Sequence, residues 1–488
     1  PGPVFAAPLD QWVHRHNRQT VADTCRMKPP QYPAAVSMAE IPRSAATSDS
    51  AGVPFGPRLL NIRIAPDVSF SHMMTLLFGS FFGIAMMGFI NASQPYLFTE
   101  VLKVPTGEQG PLAGNLTFLS EVVVIATIGL IGAISDKVGR KLIWGGAFLI
   151  FAMGYVIYPL AESVEQLTAF RMIFALGLAM NTAMLPSVIN DYAVDESRGR
   201  LISVCFMLNG LGFILLLTPL RLLLPFFEGL TDGDPVQAAR YWLWTPAGVC
   251  LLVSTVLLIG LKPGAPSQLQ KRDPALSTLK IGFKAARRIR VALAYVAAIV
   301  ARGDMSVLST FFVLWLTQQA ISSGLPTTEA SSYALKFYIL IQVFALCWLP
   351  FMGMILDRVD RVAGLAFAML LAGIGYGALF VMGDPLGPQM WFVAVLIGMG
   401  EMSANLASLT LIGSEAPEKG RGAVIGMFSL CGAIGILSIA KFGGMLSGVY
   451  GTIAPFVLIA IANIVVLVMA LAVYVVSRRS AAAAGATA

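Results

Sequence analysis

Histidine is nearly absent from this 488-residue chain. There are three, His14, His16 and His72, and none lies beyond residue 72. Proton or metal chemistry in the main body must therefore do without imidazole. Five cysteines, Cys25, Cys205, Cys250, Cys347 and Cys431, lie far apart with no CxxC pairing, which argues against a disulfide framework or a zinc site. Charge is scarce: Asp, Glu, Lys and Arg make up 12% of the residues, about half the share of an ordinary soluble domain. No GxxxxGK(S/T) loop occurs, so direct use of ATP is excluded. No nucleophile–base or metal set converges in the apolar stretches, so no enzyme, metal or cofactor is expected.

What the chain has instead is apolar length: 57% of its residues are hydrophobic. About 20 apolar residues span a bilayer as a helix. Twelve such runs are present, near 70–98, 114–134, 142–161, 167–190, 201–226, 241–261, 292–318, 334–356, 363–382, 389–412, 422–447 and 452–476. We number them spans 1 to 12. The expected organisation is a disordered N-terminal tail at 1–65, a six-helix bundle at 66–261, a linker at 262–291, a second six-helix bundle at 292–478 and a short tail at 479–488. The N-terminal tail lacks the short apolar core of a signal peptide and is expected to stay uncleaved.

Charge in the connections sets an orientation. Those after spans 2, 4, 8 and 10 carry Lys137, Arg140, Lys141, Arg198, Arg200, Arg358, Arg361, Lys419 and Arg421, and Arg478 and Arg479 follow span 12. The odd-numbered connections carry Glu100, Glu108, Glu162, Glu165, Glu228, Asp232, Asp234 and Asp384. Both termini are therefore expected in the cytoplasm of a multi-pass integral membrane protein, in the plasma (inner) membrane if the source is bacterial. The formal net charge of +7 then marks loops, not nucleic-acid binding. The linker holds Lys280, Lys284, Arg287 and Arg288 on one side of a helix. That segment either tethers two halves or lies on an anionic leaflet.

The halves repeat. Span 2 ends in Gly132-Ala-Ile-Ser-Asp136-Lys137-Val-Gly139-Arg140-Lys141, and span 8 in Gly353-Met-Ile-Leu-Asp357-Arg358-Val-Asp360-Arg361. After spans 4 and 10 come Asp195-Glu196-Ser-Arg198-Gly199 and Glu415-Ala-Pro417-Glu418-Lys-Gly-Arg421-Gly422. These signatures, at these helices of a twelve-span chain, resemble the major facilitator superfamily over about residues 70–478. Asp360 departs from the pattern by replacing the second glycine of the span 8 copy. The resemblance implies an all-α membrane fold of two six-helix bundles, with spans 1, 4, 7 and 10 lining a central cavity. It also implies a cytoplasmic gate at Gly132, Asp136, Arg140, Gly353, Asp357, Arg361, Glu415 and Arg421, with Asp136 facing the start of span 11. The alternative is that these charges only fix orientation.

A charge near the bilayer centre costs roughly 2.5–3.5 kcal/mol and is usually functional. Asp304 and Glu401 each lie about 18 Å into their spans, and with no histidine available they are the expected proton carriers. A desolvated carboxylate can hold a proton near neutral pH. A buried structural ion pair is the competing reading. Arg302 and Asp304 point about 200° apart, so one faces the cavity and the other a neighbouring helix. Arg171, Arg221 and Lys441 lie where long stems can snorkel outward. Candidate solute-binding residues are Arg171, Asn181, Asn209, Arg302, Gln342 and Asn405, although the amides could equally be interhelical glue. The Met pairs at 73–74 and 86–87 are read as packing rather than as copper ligands.

The expected function is secondary active transport by alternating access. Proton-coupled symport of a small polar or anionic organic solute is the leading form, in a monomer whose partners are solute, protons and lipid. Proton-coupled efflux of amphipathic compounds is the first alternative; span 5 lacks the Gly-Pro core of drug antiporters. A non-transporting sensor or assembly member is the second.

Overall fold

Twelve helices long and apolar enough to cross a membrane are present among the described residues of the computed structural model. Those residues are 58–59, 62–264, 275–417 and 420–485, with the backbone alone for 58–59, 195–196, 275–279 and 480–485. The spans are Phe70–Val101, Thr106–Val138, Arg140–Leu160, Val164–Tyr192, Ser197–Leu230 and Pro235–Gly260 in the first half. In the second they are Ile289–Ser322, Thr327–Arg358, Arg361–Val381, Gln389–Glu415, Arg421–Tyr450 and Ala454–Arg479. Lys271, Arg272, Glu418, Lys419 and residues 1–57 of the expected tail lie outside the described residues.

Side chains in the short connections start several helices. Ser69 accepts from His72 N and Ser163 from Gln166 N, while Asp234 accepts from Val236 N just ahead of Pro235. The two repeat loops turn differently. Gly139 has φ +100°, which favours glycine, whereas Asp360 at φ −56° accepts from Val362 N and caps span 9. The replacement of glycine by Asp360 thus serves a helix start rather than a left-handed turn.

Helix pairing shows the internal repeat directly. In the first half span 3 packs on spans 4 and 6, span 1 on spans 5 and 6, and span 2 on span 4. In the second half span 9 packs on spans 10 and 12, span 7 on spans 11 and 12, and span 8 on span 10. Adding six to each number converts one set into the other. Between the halves, span 2 meets span 11 and span 5 meets span 8, which the same shift exchanges.

The seam between halves is asymmetric. At the end opposite the basic connections, a Cβ at Gly110 would strike Ser447, and one at Gly114 the Ala440 carbonyl. Gly448 packs on Pro111. Thr117 and Thr310 hydroxyls lie 3.2 Å apart, and Gln318 Nε2 donates to Gln109 Oε1 at 2.9 Å. Lys441 Nζ donates to Asn115 Oδ1 at 3.2 Å, and Arg221 to the Ser332 carbonyl at 3.4 Å. These two cations tie the halves together instead of snorkelling, because the seam supplies polar partners. Thr310 and Lys441 sit in π-helical turns, Leu308–Phe312 and Ile439–Gly443. Toward the basic end, Gly129, Gly353, Gly422 and Gly426 have open space where a Cβ would go. The described contacts between the halves are therefore concentrated at one end.

The sequence boundary of the tail at 65 falls inside an ordered strap. Arg58–Leu59 pairs with Ile62–Arg63, and Ile64 bridges to Ala193 beyond span 4. Arg63 N donates to Ser197 Oγ at 2.9 Å and Ala65 N to the Tyr192 carbonyl at 3.0 Å. Ile62, Ile64 and Val68 are buried beneath. Asp67 pairs with Lys262, at the start of the linker.

Two outcomes follow. Gly114→Leu cannot be accommodated at the seam, so spin labels at positions 108 and 449 should show a new, longer distance population. An unchanged distance distribution would remove the seam from the closing contact. The Lys262 ammonium that donates to Asp67 holds its carboxyl below the usual carboxylate range. A depressed folded-state pKa stabilises above the unfolded value of about 3.9 and is lost as pH falls through the folded value. Both groups are partly exposed, so the gain is under about 1 kcal/mol. The melting-temperature advantage of the wild type over Asp67→Asn should shrink progressively as pH falls below about 4.

Candidate functional site: a mid-depth cleft between two helical halves

Packing decides which expected residues reach the cleft. Span 10 carries Gly398 and Gly400, whose absent side chains let it approach the Ile341 carbonyl of span 8 and the Ala372 backbone of span 9. That approach desolvates Glu401, which is buried with Oε2 lacking a hydrogen-bond partner. Gln342 of span 8 is the polar side chain next to it. Asn405, one turn on, is half-buried. Glu401, Gln342 and Asn405 are thus brought to one region of the second half.

Arg302 and Asp304 part company as their spacing requires. Asp304 is fully buried: Asn463 Nδ2 of span 12 donates to its Oδ1 at 2.8 Å, and the Tyr376 hydroxyl of span 9 donates to its carbonyl at 3.2 Å. Its Oδ2 has no partner. Arg302 is exposed, its stem lying against Gly432 of span 11. The Thr117–Thr310 contact sets the register of span 2 on span 7. Glu121 follows Thr117 by one turn and Arg302 precedes Thr310 by about two, so both lie just below the seam. Arg302 is thus an exposed cation at this depth, whereas Asp304 meets the neighbouring helix.

The first half holds two polar clusters. Arg171 is buried rather than snorkelled outward. Its Nε donates to Ser120 Oγ at 3.0 Å, its Nη2 to Asn91 Oδ1 at 2.5 Å, and its guanidinium lies 5.5 Å from the Phe174 ring centre. Its Nη1 is left without a partner. Neighbours on spans 1, 2 and 4 satisfy most of the group in place, which removes the need to reach water. Asn181 and Asn209 converge on Gly83, where a Cβ would lie 3.4 Å from Asn181 Nδ2 and 3.5 Å from Asn209 Oδ1. Trp144 Nε1 donates to Asn181 Oδ1 at 2.7 Å, whereas both amide atoms of the buried Asn209 lack partners. Trp144 thus holds Asn181 in place as interhelical glue would.

The described ion pairs of the gate residues lie within their own halves. Arg140 bonds Asp136 at 2.7 Å and Asp191 of span 4 at 3.0 Å, and also donates to Ser135. Gly132 is buried and accepts from the Ser135 hydroxyl. Asp357, 79% exposed, lies 3.5 Å from Arg361, and Gly353 borders open space. Glu415 pairs with Arg290 at 3.2 Å, as does Asp360 at 3.3 Å; Arg421 donates to the Gly413 carbonyl. In each of these ion pairs the cation takes an acid of its own bundle. Sequence reasoning missed Asp191, Arg290 and Asn463 as partners. Asp191 was within reach of it, being an acid at the end of the span next to the repeat loop.

The sequence profile of the Major Facilitator Superfamily matches residues 76–440 and, again, 344–487. The chain belongs to the Major Facilitator Superfamily. Among its relatives, magnetosome protein MamH of Paramagnetospirillum magneticum is 26% identical over 399 residues, 80% of this chain and 89% of MamH. Magnetosome protein MamZ of the same organism is 24% identical over 78% of this chain, which spans 60% of MamZ's length. The crystal structure of nucleoside transporter NupG superposes with a TM-score of 0.65 at 14% identity, covering 82% of this chain and 98% of that one. That likeness shows the fold. The double appearance of the profile agrees with the paired loops at Asp136 and Asp357.

Because Asp304 is partnered by Asn463 and not by Arg302, thermal stability should reveal which pair is coupled. Asn463→Ala leaves a buried carboxylate short of a donor and should cost about 1–3 kcal/mol. Its effect should be strongly non-additive with Asp304→Asn, whereas Arg302→Ala and Asp304→Asn should add. Strong coupling between Arg302 and Asp304 would overturn this partnership.

Proposed function

We propose that this chain is a proton-coupled secondary transporter that takes up a small polar or anionic organic solute by alternating access. One observation carries the reading: a bundle whose halves are joined at one end holds an exposed arginine, Arg302, and a buried acid, Glu401, in the same half. A cation in a water-filled cleft suits an anionic group on the solute, while Glu401 holds and releases the proton. Asp304 acts as a second proton carrier through its contact with spans 9 and 12. Arg171, Asn181, Asn209, Gln342 and Asn405 supply further polar contacts as the halves move. In this reading the basic end faces the cytoplasm, as do both termini, and the monomer is the working unit, in the plasma (inner) membrane if the source is bacterial. Closure at the basic end would exchange within-half pairs of Asp136, Arg140, Asp357, Arg361, Glu415 and Arg421 for contacts across the halves.

The relatives support a second reading. MamH and MamZ are named as magnetosome proteins, and this chain would then work in the magnetosome. Fractionation of a tagged chain in its own host separates the two locations.

Thermal-shift screening against carboxylates, sugars and nucleosides identifies the solute. Proteoliposomes loaded with that solute then test the coupling. Glu401→Gln should abolish accumulation under an imposed pH gradient and largely spare solute exchange. Full gradient-driven accumulation by the variant removes Glu401 from the mechanism.

A further inference from the structure

The linker between the halves ends in a helix, Ala275–Ala285, that is fastened to the second half. Gly282 is where it docks: a Cβ there would lie 2.8 Å from Met427 Cβ and 3.0 Å from the Ala423 carbonyl of span 11. The Tyr295 hydroxyl of span 7 donates to the Gly282 carbonyl at 3.1 Å. The linker helix therefore has one face fixed against spans 7 and 11, at the basic end where both begin.

The opposite face carries Lys280 and Lys284, and the turn after it Arg287 and Arg288, all four exposed. At 100° per residue the two lysines lie about 160° from Gly282. Three other cations at this end have acids: Arg140 has Asp136 and Asp191, Arg290 has Asp360 and Glu415, Arg361 has Asp357, while Arg421 and Lys141 donate to backbone carbonyls. Among the described residues, no carboxylate forms an ion pair with these four. The flanks are apolar and open: Phe283 is 72% exposed, Ile281 45% and Ile289 53%. Four unneutralised cations between exposed apolar side chains, held at the mouth of a membrane bundle, match the boundary between headgroups and acyl chains.

We propose that Lys280, Lys284, Arg287 and Arg288 form a binding site for anionic phospholipid headgroups, with Phe283 inserted at the acyl boundary. The site is independent of any transported solute. Because its helix is docked on span 11 and held by span 7, bound lipid bears on the second half.

The test uses the full chain in detergent, titrated separately with phosphatidylglycerol and phosphatidylcholine, with bound lipid counted by native mass spectrometry. The wild type should prefer phosphatidylglycerol by about tenfold at low salt, and less as salt rises. K280Q/K284Q/R287Q/R288Q should lose most of that preference, and K284Q/R288Q, which serves if the quadruple variant does not fold, about half. R358Q/R478Q, which removes basic-end cations away from the linker, should keep it. Phe283→Ser should weaken binding of both lipids while leaving their ratio unchanged. Equal binding of the two lipids by the wild type overturns the proposal. So does an undiminished preference in the linker variants, or an equal loss in R358Q/R478Q.

Discussion

The close approach of span 2 to span 11 governs the rest of this structure. Gly110 and Gly114 carry no side chains where span 11 crosses them, and Gly444 and Gly448 answer from the other half. Backbones can then touch, as small residues allow between membrane helices. Thr117, Thr310, Gln109 and Gln318 add hydrogen bonds around the contact. The described bonds between the halves gather at that end, while the gate charges at the other pair within their own halves.

Charge at membrane depth is handled here in three ways. Arg302 stays exposed. Arg171 is desolvated and held by a hydroxyl, an amide and an aromatic face. Asp304 has an amide donor from span 12, and Glu401 is buried with one oxygen unmatched. Asp304 also keeps one unmatched oxygen, Oδ2, so both acids are incompletely satisfied and suited to a change of neighbours. The fully enclosed Asp304 would require spans 9 and 12 to move with it.

At the basic end, electrostatics is local. Arg140 draws Asp136 and Asp191 together, and Arg290 draws Asp360 and Glu415 together, so each half closes on itself. The strap before span 1 does the same by backbone pairing with the residues after span 4, and Asp67 reaches Lys262 where the linker begins. Each half is thereby stiffened as a body at the basic end. Rigid halves joined at one seam are what rocking motion requires.

The sequence alone determined the twelve spans, the repeat and the family, because apolar length and paired loops are local properties that survive without coordinates. It also placed Asp304 and Glu401 at mid-depth, since helical rise turns residue number into depth. That Arg302 and Asp304 must diverge was legible from their two-residue spacing; which of them stays exposed was not. That depended on Asn463, 159 residues further along, filling the space beside Asp304. Arg171, Arg221 and Lys441 looked like snorkelling cations because a single helix offers them only its own ends. Tertiary packing gave them Ser120, Ser332 and Asn115 instead. The partners of the gate charges were likewise set by how the helices pack within each half, and no local pattern records that.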